Sequence, residues 1–110
     1  MPALKMNFPH QLGRTTAQER LNTLLAKVKH RYGDQVSNLR ESWSENVLNF
    51  GFTTYGFGIQ GNVTVEENEV RLDGQIPFAA MMFKGKIEQA LRETMTKTLA
   101  SDTPPPKATA

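Results

Sequence analysis

Glu41 is the one side chain in this sequence whose placement predicts acid-base chemistry. It shares the parity of Leu39 and Trp43 within a stretch of period-two hydrophobicity, so a regular strand there directs its carboxylate into the core beside an indole ring. Burial of that kind raises a carboxyl pKa and suits the group to proton transfer. An edge strand carrying a bulge is the simpler account, and it gives Glu41 no catalytic role.

Gly56-Phe57-Gly58-Ile59-Gln60-Gly61 has the spacing of a dinucleotide-binding loop. That fingerprint works only when a helix N-terminus follows the glycines, whereas Asn62-Val63-Thr64-Val65 continues a strand alternation. The three glycines therefore read as structural: Gly56 in a turn, Gly58 baring the outward face of the sheet, Gly61 admitting a close helix. Asn62-Val63-Thr64 is also a glycosylation triplet, but its position within a strand and the missing secretory signal predict that it stays unmodified.

The two histidines, His10 and His30, have no partner at a spacing that recurs in helical metal sites, and the sequence predicts no metal and no cofactor. His10 follows Pro9 at a strand end, where a ring nitrogen can bond a loop backbone. His30 stands with Lys27, Lys29 and Arg31 near a helix C-terminus, where positive charge complements the helix dipole. No nucleophile, acid pair or phosphate cradle emerges, so the chain is expected not to be an enzyme.

The elements that position these residues follow from periodicity. Leu4, Met6 and Phe8 alternate with Lys5 and Asn7 up to Pro9, which predicts a first strand. Thr16 and Glu19 form a capping-box pattern, and Ala17, Leu21, Leu24, Leu25 and Val28 recur at helical spacing, predicting a helix from about Thr16 to Tyr32 stopped by a left-handed Gly33. From Leu39 to Ile76 the period is two throughout, with turns at Ser44-Glu45-Asn46, Thr54-Tyr55-Gly56 and Glu66-Glu67-Asn68, which predicts four strands in a meander. After Pro77 a second helix runs to about Ala100, with Ala80, Phe83, Ile87, Ala90, Leu91, Thr94 and Thr98 on its inner stripe.

Strand, helix, four strands, helix, with each strand apolar on one side only, predicts an α+β two-layer sandwich. The five-stranded sheet is mostly antiparallel, with both helices on one face and the polar face open, and if the first strand pairs antiparallel with the last its order is one-five-four-three-two. This arrangement resembles a reduced helix-grip fold. Residues 1–100 form one domain in this reading, and 101–110, with three consecutive prolines, form a disordered tail.

The 110 residues carry 13 basic and 11 acidic groups, interleaved, for a net charge of +2, which gives nucleic-acid binding no support. Cysteine is absent, excluding disulfides and fitting a reducing cytoplasm. The longest apolar stretch, Ile76 to Phe83, is far short of a membrane span.

Two surfaces are predicted to bind. Gly51 and Gly58 fall on the outward parity and bare a backbone strip, so the open face is expected to form a homodimer. Phe78 and Met82, four residues apart, lie opposite the inner stripe of the second helix and are flanked by Lys84 and Lys86. They are covered by an N-terminal segment or a second subunit, form an exposed apolar patch for a hydrophobic surface, or lie buried under the preceding loop. A separate expectation is a cavity between sheet and helices lined by Trp43, Glu41, Phe50, Phe57 and Met95, which would suit a small hydrophobic-ligand carrier or a weak enzyme.

Several segments resemble the polyhydroxyalkanoic acid system family, small bacterial proteins associated with the genetic neighbourhood of storage-polyester granules. The resemblance is carried by His10-Gln11-Leu12-Gly13 with Ala17, by Tyr32-Gly33, by Trp43 followed by Leu48 and Phe50, and by Gly61-x-Val63-x-Val65. The final segment is the most similar: Ile76-Pro77-Phe78, then Phe83-Lys84-Gly85-Lys86-Ile87-Glu88. Where the family pattern leads one to look for a Gly-Asp turn, this chain has Ser44-Glu45-Asn46. The resemblance implies a granule-associated accessory protein, with a polyester granule surface or a granule protein as partner, and it carries over no active site.

Overall fold

The structure, a computed structural model, describes residues 3–54 and 56–100. The Pro-rich segment 101–110, expected to be disordered, lies outside them. Strand β1 (Ala3–Pro9) leads into helix α1 (Arg14–Tyr32), followed by strands β2 (Ser37–Ser44), β3 (Val47–Thr54), β4 (Phe57–Val65) and β5 (Glu69–Gln75). A short 3-10 helix (Phe78–Phe83) and helix α2 (Lys84–Thr98) complete the order. The sheet order is β1-β5-β4-β3-β2 and every pairing is antiparallel, as the one-sided alternation predicts.

Both helices cover the same face. Ala17 and Leu21 of α1, with Met95 of α2 and the adjoining Leu99, close over Leu4, Met6 and Phe8 of β1, Val65 of β4, and Val70 and Leu72 of β5. Val65 and Val70, paired across β4 and β5, are fully buried at the centre of this cluster. Cross-strand β-branched pairs of this kind fill a pleated surface well. The guanidinium of Arg20 donates to the carbonyls of Thr98 and Ala100, each at 3.0 Å, so a cation on α1 satisfies free carbonyls at the end of α2.

Element ends depart from expectation for local reasons. Helix α1 begins at Arg14, so Thr16 lies inside it and the capping box is not used. Gly13, at φ 77, turns the chain into the helix; Ala17 N–H donates to its carbonyl, and Glu67 of the β4–β5 turn accepts from Arg14 N–H at 3.4 Å. Gly33 is right-handed, not left-handed, because a 3-10 turn over Gly33–Gln35 continues the helical sense before Val36 extends.

The predicted single helix after Pro77 is instead a 3-10 segment followed by α2. The change from three residues per turn to 3.6 rotates the inner stripe, which becomes Ala80, Ile87, Leu91, Met95 and Leu99. Phe83, Ala90 and Thr94, expected inside, are exposed.

Gly61 admits no helix. A Cβ there would lie 2.7 Å from Gly74 Cα, 3.1 Å from Phe50 Cζ and closer still to the Asp73 carbonyl oxygen. Its bare backbone serves the approach of β5 and the Phe50 ring.

Candidate functional site

The predicted pocket is not assembled. Met95 is buried in the core, and Trp43 and Phe50 pack at its edge. Trp43 sits opposite Leu48 beside the β2–β3 turn, whereas Phe57 sits opposite Thr54 at the far end of β3, so the sheet holds the two aromatics apart. Glu41 corrects the prediction of a buried acid. It does face α1, but β2 is an edge strand exposed along nearly its whole length, and the Glu41 carboxylate accepts from Lys29 Nζ at 3.1 Å. A register shift between Ser37 and Arg40, with Asn38 at φ 54, is the bulge that the simpler account required.

His10 is buried and structural. Leu12 N–H donates to its Nδ1 at 3.1 Å, so Nδ1 is an acceptor and the proton resides on Nε2, which lies 3.2 Å from the Glu66 carbonyl. Nδ1 braces the β1–α1 connection from within, and Nε2 ties it to the residue that follows β4. Among the described residues, no three His, Asp or Glu side chains converge where a metal ion could be held, and no helix is long and apolar enough to cross a membrane.

The outward face differs from expectation at Gly51. Gly58 is open, but Gly51 is buried, because the Arg40 guanidinium lies over it: a Cβ at Gly51 would stand 2.5 Å from Nη2. The bare strip proposed for self-association is therefore interrupted. Arg40 escaped the sequence reading because only the cross-strand pairing of Arg40 with Gly51 reveals that a guanidinium fills the space a side chain would take.

The apolar patch is present. Phe78 is 74% exposed and Met82 81%, and neither lies under the preceding loop. The cause is local. Pro77 is extended, and in the 3-10 helix after it residues three apart eclipse one another, leaving three rows of side chains. Of this segment only Ala80 is buried in the core; Phe78 with Met81, and Met82 in another row, point outward, and Phe83 at the junction with α2 is half exposed. Lys84 and Lys86 follow at once, and no acidic residue occurs between Ile76 and Ile87. Four large apolar side chains beside two cations that have no ion pair among the described residues form a surface that water solvates poorly.

No curated protein matches the chain. A family model described as "Putative polyhydroxyalkanoic acid system protein" matches residues 4–99, nearly everything the structure describes, including His10, the Trp43–Leu48 pair, Gly61 and the whole Ile76–Ile87 patch. The match covers nearly the whole chain, and this chain belongs to the polyhydroxyalkanoic acid system protein family.

Proposed function

We propose that this chain is a non-enzymatic accessory protein of polyhydroxyalkanoate metabolism that binds the polyester granule surface, or a protein on it, through Phe78, Met81, Met82 and Phe83. The observation that carries the reading is the outward projection of those four side chains from one 3-10 segment in a member of this family. Burying Phe78 and Met82 against an apolar surface contributes roughly 1.5–3 kcal/mol for each side chain, enough for reversible attachment. Lys84 and Lys86 add attraction to any anionic component there.

A carrier or enzyme built on a cavity between sheet and helices is less favoured, because Glu41 is exposed and Phe57 lies far from Trp43. Fluorescence localisation in granule-bearing cells, together with co-sedimentation on isolated granules, tests the proposal. Granule-bound signal that the Phe78→Ser, Met82→Ser double variant loses supports it. A uniformly diffuse wild-type protein overturns it.

A further inference from the structure

The face of the sheet opposite the helices carries a groove of about 530 Å³, within the size range of small-ligand clefts. Its floor is a straight row across all five strands, since Ser42, Asn49, Asn62, Asp73 and Lys5 are successive cross-strand partners. Directly opposed side chains of this kind stand about 5 Å apart. Among the described residues, the side chains of Ser42, Asn49 and Asn62 have no hydrogen-bond partner, so the row presents donors and acceptors at regular intervals. Lys5 and Asp73 offset each other at one end, 3.9 Å apart.

The adjacent row is Arg40, Gly51, Gln60 and Gln75. Gln60 donates to Gln75 at 3.3 Å, but Arg40 has neither ion pair nor hydrogen bond among the described residues. The one carboxylate near it in sequence, Glu41, is turned to the other face and held by Lys29. Gly51 is what keeps Arg40 in the groove, because any side chain there would occupy the place of the guanidinium. A planar cation with free N–H groups, seated at one end of a row of amides, is built to receive a carboxylate whose chain carries further oxygen atoms.

We propose that this groove binds a small linear hydroxycarboxylate, its carboxylate on Arg40 and its hydroxyl on the amides of Asn49 and Asn62. The carboxylate assignment rests on Arg40 alone. The choice of 3-hydroxy acids as probes rests on the polyhydroxyalkanoate reading above.

Titrating the full chain with 3-hydroxybutyrate, with butyrate and with the methyl ester of 3-hydroxybutyrate, followed by amide NMR shifts, tests the proposal. The expected result is saturable shifts at Asn49, Gly51, Gln60 and Asn62 with 3-hydroxybutyrate, weaker binding of butyrate, and none of the uncharged ester. Arg40→Gln should weaken binding by about tenfold or more, since a charge-assisted contact is lost. Gly51→Ala should weaken it similarly while leaving the melting temperature nearly unchanged, because the displaced arginine is the flexible tip of an exposed side chain.

No shift in the groove with either acid overturns the proposal, as does binding that survives Arg40→Gln. Equal affinity for butyrate and 3-hydroxybutyrate overturns the role given to the amides. Granule attachment is read separately with the Phe78→Ser, Met82→Ser protein, whose altered residues lie off the groove; its loss with groove binding retained, or the reverse, tells which of the two proposals fails.

Discussion

The ring of Phe50 rests on the bare backbone of Gly61, its strand partner across β3 and β4. On the other side Gly61 faces Gly74 so closely that an added Cβ would meet the backbone of β5, 2.7 Å from Gly74 Cα. Backbone cannot swing aside as a side-chain tip can. Gly61→Ala is therefore expected to destabilise the fold by about 2 kcal/mol or more, read as a lowered midpoint in urea unfolding. A variant with an unchanged midpoint would show that β4 and β5 separate freely there.

Glu45 opens the two-residue link between β2 and β3 with φ 55, a conformation that glycine adopts without steric cost. Its carbonyl accepts from Gln18 Nε2 at 3.0 Å, and the Asn46 side chain donates to the Val65 carbonyl at 2.8 Å, so surrounding contacts hold the turn. Replacing Glu45 by Gly keeps both backbone contacts and removes the strain. Stability should rise by about 0.5–1 kcal/mol, with thermal unfolding as the measure.

His10 braces the β1–α1 connection and joins it to the β4–β5 turn through two hydrogen bonds in a site almost closed to solvent. His10→Ala leaves the Glu66 carbonyl and the Leu12 N–H without their partner. A loss of about 1–3 kcal/mol is expected, with granule or partner binding per folded molecule unchanged. Loss of binding without loss of stability would contradict the structural role.

Phe78→Ser with Met82→Ser should each change stability by only about 0.5 kcal/mol, because both side chains already face solvent. Met95→Ala, on the buried side of α2, should cost roughly 2–5 kcal/mol. Calorimetry on the two variants compares them directly. A double variant as destabilised as Met95→Ala would mean that the 3-10 segment is covered in solution.

The sheet was legible because each strand has a single burying face, and a period of two can be read along the chain: Leu4, Met6 and Phe8, or Val70 and Leu72, declare their side without reference to any partner. The run β5-β4-β3-β2 follows from short turns, whereas the place of β1 beside β5 was a condition that only the pairing itself meets. The sequence set Phe78 and Met82 opposite an apolar stripe but left open whether the preceding loop covered them, and their exposure is read from the packing.

What the tertiary structure decided lies across strands or depends on where the layer ends. Parity sends Glu41 toward the helices, but it cannot say that β2 is the edge strand, exposed along nearly all its length, where the carboxylate meets Lys29 in solvent. Helical spacing from Pro77 onward could not reveal that the segment divides into a 3-10 turn and α2, with Phe83 half exposed at the junction. Arg40 on Gly51 and Phe50 on Gly61 each join residues about ten apart, brought together only by cross-strand register. Periodicity is a property of one segment, whereas register, edge position and the reach of a covering layer belong to pairs of segments, and those are settled only when the chain packs.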